Sequence, residues 1–210
     1  MSEKTIIRRL PERAVTDRGA INAILDDGFV CHTAYVTGGR PVVIPILYAR
    51  DGDRLLLHGS NSMGIVRAVR AGSPLSVAVT HLDGLVVARS AFNSSANYRS
   101  VVIHGEGRLL DGDQKRSALD LVVDRVLPGR LADLRSPTET EIGQTAVIEL
   151  LLDQISAKVR SGGPEDEESD MNAGVWAGVI PIALTPGQPI PAKDLRAGVD
   201  VPDYLRHFRR

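Results

Sequence analysis

The stretch Gly59-Ser60-Asn61-Ser62-Met63-Gly64, with Arg67 a few residues on, has residue types that could handle a ligand. Small side chains leave backbone N–H groups uncovered, the hydroxyls and the Asn61 amide add donors, and Arg67 adds a positive charge. At the start of a helix, such a loop is a site for an anion, a phosphate in particular. The same residues also suit a plainer role. Ser60 and Ser62 are good N-cap side chains for a helix over 65–71 that Gly72 would end. His58, just before the loop, reads as a satisfied histidine ending a strand. The other histidines, His32, His81, His104 and His207, show no spacing that would hold a metal. Cys31 is the single cysteine, so one chain can form neither a disulfide nor a cysteine metal cluster, and its apolar neighbours make it a core thiol. No acid–base pair stands out, which leaves the catalytic residues unknown.

A hairpin must position this loop. Val42-Val43-Ile44-Pro45-Ile46-Leu47-Tyr48 and Arg54-Leu55-Leu56-Leu57-His58 are apolar runs, and Arg50-Asp51-Gly52-Asp53 between them carries the Asp-Gly pair of a tight turn. Upstream, Thr16-Asp17 caps a helix with Ile21, Ile24 and Leu25 on one face and Gly28 at its end, and a strand over 29–36 turns at Thr37-Gly38-Gly39-Arg40. Downstream, 73–82 and 85–91 read as strands about an Asp83-Gly84 turn, 92–98 as a polar break, and 99–110 as a long strand whose glycines permit bending. A helix over 115–126 would bury Ala118, Leu119, Val122, Val123 and Val126. Thr138 opens a short capped turn, 146–152 is a strand, 156–160 extends a sheet edge, and 175–182 is a last apolar piece. Hairpin-joined strands with a few flanking helices predict a mainly β, α+β fold built on an antiparallel barrel. The chain divides into a lead-in over 1–16, a barrel domain over 17–182 and a Pro-rich tail over 183–210, packed on the surface or on a partner.

In the 210 residues, 25 Lys and Arg stand against 26 Asp and Glu, so no concentrated positive field draws the chain to nucleic acid or anionic membrane. Small molecules and protein partners fit better. Neither a charged-then-apolar leader nor a run long enough to cross a bilayer is visible, which gives a cytoplasmic expectation.

Element order and local wording together resemble the pyridoxamine 5′-phosphate oxidase-like FMN-binding split-barrel superfamily, nearest its flavin-nucleotide-binding branch related to nitroimidazole-resistance proteins. The resemblance spans roughly 17–182. It is carried by the 42–48 strand, by Leu55-Leu56-Leu57-His58-Gly59-Ser60, by the helix with Arg67, and by Asn97-Tyr98-Arg99-Ser100-Val101-Val102. It implies an intimate homodimer with FMN in a groove at each interface. The flavin ring would lie against Val43, Ile44, Pro45, Ile46 and Leu47. His58, Gly59 and Ser60 would stand beside the ribityl chain and phosphate, with Asn61 and Ser62 as further donors and Arg67 near the phosphate. Asn97, Tyr98 and Arg99 would approach the same groove, from this chain or its partner, and Trp176 would be either an aromatic near the flavin or core packing.

One departure bears on activity. True pyridoxamine oxidases carry a basic C-terminal set for the substrate's phosphate, and 181–210 does not match it, Arg206, Arg209 and Arg210 resembling it only by chance. Vitamin B6 oxidation is therefore the weaker reading, and an FMN-dependent oxidoreductase acting on an unknown small molecule is preferred. The alternatives are a non-catalytic flavin carrier, a haem-binding split-barrel protein using His58 or another histidine as axial ligand, and a flavin-free dimeric regulatory module.

Overall fold

The computed structural model describes residues 5–208; Met1, Ser2, Glu3 and Lys4 of the lead-in and Arg209 and Arg210 of the tail lie outside the described residues. Its strands are β1 (Ala14–Val15), β2 (Val30–Thr37), β3 (Arg40–Asp51), β4 (Arg54–Ser60), β5 (Pro74–Val87), β6 (Ser95–Leu109), β7 (Thr145–Leu151), β8 (Gln154–Arg160) and β9 (Gly178–Pro181). The helices are α1 (Arg18–Asp27), α2 (Gly64–Arg70), α3 (Gly112–Val126), α4 (Glu139–Gln144) and α5 (Asp203–Arg206). All pairings are antiparallel, and β2-β3-β4-β7-β6-β5 form a ring that closes where β5 returns to β2, with β1, β8 and β9 outside it.

The turns follow from residue type. Gly38 and Gly39, at φ 56° and 73°, join β2 to β3, and Gly52, at φ 54°, joins β3 to β4. Asp17 caps α1 by accepting the Ala20 N–H at 2.7 Å. Inside the ring, Ile21, Ile24 and Leu25 of α1 pack with Cys31, Ile46, Leu55, Leu57, Val77, Val101 and Ile148. Full burial of each such side chain contributes roughly 1.5–3 kcal/mol. Burial pushes the Cys31 thiol up to about 11, so it stays neutral and inert, as its surroundings predicted. A second cluster lies outside the ring, where α3 lays Ala118 and Val122 on Ala49, Leu56, Leu110 and Val147. On that same outer face, Glu149 holds Arg54 at 2.5 Å and Arg108 at 3.0 Å. Burial alone would raise its carboxyl, but the two guanidinium groups outweigh it and hold it below the usual range.

Several local expectations are corrected. Asp83-Gly84 is not a hairpin turn. β5 runs through it with one irregularity, because Gly84 is buried where a Cβ would meet Val179 Cγ1 at 3.0 Å and the Ile180 carbonyl at 3.1 Å, as β9 pairs along this edge. The turn from β5 to β6 lies instead at 88–94, tied by Ser94 Oγ to the Ser90 carbonyl at 3.0 Å. Asn97 and Tyr98 accordingly belong to β6 and not to a polar break. The glycines of β6 serve close packing: a Cβ on Gly107 would meet Ile148, Leu75 and Val69 side chains at 2.9–3.0 Å, where β6 leaves β8 and takes up β7. Helix α2 is capped by Met63 without a side-chain bond, because Ser60 still belongs to β4 and its hydroxyl pairs with that of Ser62 at 2.9 Å.

Candidate functional site

Along β4, alternation sends Leu55 and Leu57 into the ring and Leu56 and His58 to the outer face, beside Val147 of β7. There His58 lines a cavity of about 740 Å3 that α3, α4 and the segment between them enclose. Leu119, Val122 and Val123 of α3, Leu131 and Leu134 of the connecting segment, and Ile142 of α4 give it apolar walls. The imidazole Nδ1 is buried without a hydrogen-bond partner, and burial lowers the His58 pKa. The ring is thus neutral at pH 7, with a lone pair to offer.

Arg116 and Arg135 also line the cavity. Arg116 donates to Glu139 at 2.6 and 2.8 Å, and Arg135 donates to Glu141 at 2.5 and 2.9 Å. Glu141 is itself fixed by a capping box, in which Thr138 N–H donates to its carboxylate at 2.7 Å and Thr138 Oγ1 accepts its backbone N–H at 3.3 Å. Arg135, then the Thr138 backbone, bring the Glu141 carboxyl down to about 2, so the pair stays charged across the working pH range. Asp120 and Glu141 line the cavity too, Glu141 neutralised by Arg135. Apolar walls, a neutral imidazole and two guanidinium groups suit a flat apolar group that presents a metal to the histidine and anionic edges to the arginines.

The expected anion loop is drawn together in part. Asn61 N–H donates to the Gln144 carbonyl at 3.0 Å and its side-chain amide to the Gly143 carbonyl, so Asn61 ties the loop to α4. Arg67 Nη1 donates to the Ser62 carbonyl at 2.5 Å from an exposed position, and Gly59 leaves room that Met63 Sδ fills. Ile46 joins His58, Gly59 and Met63 around a small void. On β3, Val43 and Leu47 are 61% and 43% exposed and Pro45 is exposed beside them, whereas Ile46 points into the core and Ile44 packs against it.

Asn97, Tyr98 and Arg99 do not join this group within one chain, since they lie at the far end of β6 from its contact with β7. Asn97 donates to the Gly162 carbonyl at 2.9 Å and accepts from Arg160 at 2.5 Å, which fastens the loop after β8. Arg99 is held by Asp83 at 3.0 Å and by Asp27 at 2.5 Å. Trp176, 65% exposed over Gly178, is not core packing. The α3–α4 cavity escaped sequence reading. Its one signal was Leu131 and Leu134, two leucines three apart in an otherwise polar connection. Among the described residues no cluster of His, Cys, Asp and Glu could hold a metal ion alone, and no helix is long and apolar enough to cross a membrane.

Closed barrel, flanking helices and cavity together define a split-barrel protein of the pyridoxamine 5′-phosphate oxidase-like class. Residues 17–159 match the family described as pyridoxamine 5′-phosphate oxidase, and the chain belongs to that family. Among solved structures, the FAD and haem binding protein from Mycobacterium smegmatis is 40% identical, with TM-score 0.89 over 92% of this chain and 96% of its own. The flavocytochrome Anf3 from Azotobacter vinelandii is 35% identical, with TM-score 0.93 over 99% of this chain and 97% of its own. A 5-nitroimidazole antibiotic resistance protein homologue from Bacteroides thetaiotaomicron shares the fold at 20% identity and TM-score 0.59, over 70% of this chain and 86% of its own. No curated protein matches the chain.

His58 is testable without any ligand. Its pKa is lowered from 6.5 in the folded chain, so below that pH the unfolded chain binds the extra proton and stability falls as pH falls. Urea unfolding between pH 7.5 and 5 is expected to show a loss of stability that His58→Gln reduces. An identical pH dependence in both chains would mean that His58 titrates normally.

Proposed function

We propose that the chain is a flavin- and haem-binding redox protein that works as a homodimer, with haem in the α3–α4 cavity. The carrying observation is the placement of His58, a neutral imidazole with one unpartnered nitrogen, in the lining of a cavity of about 740 Å3 whose walls are largely leucine, valine and isoleucine. Two relatives above one-third identity support the reading, one an FAD and haem binding protein and the other a flavocytochrome.

The residues present fit haem. His58 would be the axial ligand, Leu119, Val122, Val123 and Ile142 would shield the macrocycle from water, and Arg116 and Arg135 would meet its carboxylates. Bound there, haem supplies one-electron chemistry, and a flavin can pass electrons singly or in pairs. The residues themselves bind, orient and exclude solvent. His58 stays neutral because it is buried, and α4 fixes the arginines through Glu139 and Glu141.

The flavin would lie on the open face of β3, against Val43, Pro45 and Leu47, with Gly59, Ser60, Ser62 and Arg67 toward its phosphate. The mycobacterial relative's FAD, in place of the FMN of the sequence reading, sets the expectation for its type. Val30 and Val36 of β2 extend that face opposite Leu47 and Pro41, which leaves an apolar sheet surface that a second copy would cover. Light scattering at micromolar concentration is expected to give twice the chain mass, and a monomer would refute the dimer.

The cofactor reading is tested by spectroscopy. Wild-type chain titrated with haem is expected to develop a shifted Soret band that saturates at one haem per chain. His58→Ala should lose that band and keep its flavin, identified by chromatography after heat release. Saturable haem binding with the same spectrum in His58→Ala would overturn the assignment.

A further inference from the structure

Beyond β9 the chain runs exposed, with Leu184 and Ile190 open to solvent, and then turns back at α5 onto the wall of the cavity. The Tyr204 hydroxyl donates to the Asp133 carboxylate and accepts from Arg130 Nη1 at 3.1 Å. Its ring covers Gly129, close enough that a Cβ there would sit 3.6 Å from the ring Cγ. A few residues on, Phe208 meets Phe29 at the entry to β2, with ring centroids 6.3 Å apart.

What Tyr204 grips is a single 3-10 turn, Arg130–Asp133. In such a turn residues three apart share a side. Arg130 and Asp133 face Tyr204, whereas Leu131 and Leu134 line the cavity. The turn is therefore a thin partition, with the C-terminal helix on one side and the cavity on the other. Its own backbone bonds are local: Arg130 N–H to the Leu127 carbonyl at 3.0 Å and Leu134 N–H to the Leu131 carbonyl at 3.2 Å. At one end stands Gly129, left-handed at φ 85°, and at the other the extended Leu134. A segment tied to its neighbours by so little opens easily unless something outside holds it.

We propose that Tyr204 is the positioning residue for this partition: by holding Arg130 and Asp133 it keeps Leu131 and Leu134 against the cavity and sets how fast a bound group enters and leaves. The part concerning the bound group rests on the haem reading above; the part concerning the partition does not. Tyr204 touches no bound group itself. It acts through the turn, so its loss changes exchange rates more than equilibrium spectra.

Two variants of the full chain test this. Tyr204→Phe removes the hydroxyl bonds and keeps the ring over Gly129, and Tyr204→Ala removes both. In ligand-free chain, hydrogen exchange at 130–134 is expected to quicken in both variants, more in Tyr204→Ala, with barrel exchange and thermal midpoint unchanged. With haem loaded and excess apomyoglobin as acceptor, haem transfer should quicken at least tenfold in Tyr204→Ala and less in Tyr204→Phe, while the Soret position stays put. Unchanged exchange at 130–134 in Tyr204→Ala would overturn the proposal, and so would quickened exchange with an unchanged transfer rate. If the chain takes no haem but exchange at 130–134 quickens, the cofactor reading fails and the positioning of the partition stands.

Discussion

β4 is buried on both faces, and much of the structure follows from that constraint. A strand in such a position cannot alternate apolar with polar, so Leu55, Leu56 and Leu57 follow one another without a break. Leu55 and Leu57 fill the ring, and Leu56 needs a cover outside it, which α3 supplies with Ala118 and Val122. The next outward position is His58. It falls where α3 no longer covers the sheet closely, and the 128–137 connection and α4 close the space from above. One strand thus supports two cores, and a histidine stands at the edge of the second.

The polar groups around this second core divide by position. Near its tight end Glu149 is satisfied by Arg54 and Arg108, which cross-links β4, β6 and β7. At the open end the ion pairs Arg116–Glu139 and Arg135–Glu141 sit at the rim, where solvent screening leaves each worth little for stability. Their value is orientation. The buried imidazole differs from both, since it gains nothing from the fold while its Nδ1 lacks a partner. An uncompensated buried nitrogen on a side chain that lines a cavity is the kind of cost a protein carries for a ligand.

Much of the barrel was legible because its signals are local. Gly38-Gly39 and Asp51-Gly52 demand positive φ, Asp17 demands a helix, and the runs at 42–48 and 54–58 demand strands. Local reading failed where tertiary contacts decide. Asp83-Gly84 has the wording of a turn, but β9 and β6 pair along both sides of it and keep β5 extended. Ser60 and Ser62 have the wording of a cap, but β7 holds Ser60 in the sheet. The anion loop drew attention to His58 for its neighbours in sequence. The cavity depends on residues from Arg116 onward, far along the chain, and no periodicity along β4 reveals what α3 and α4 leave open. Asn97 and Arg99 show the converse: close together in a motif, they are spent within one chain on fastening loops and strand ends.

If this second core is a cofactor chamber, the metal must be bonded to His58, the one imidazole among the residues that line it. Crystals of the haem-loaded chain, measured at the iron absorption edge, give the position of the metal directly. A single anomalous peak per chain, in the cavity between α3 and α4 and bonded to the His58 imidazole, is the predicted result. A peak bonded to another residue, or haem ordered elsewhere on the chain with this cavity filled only by solvent, would contradict the account.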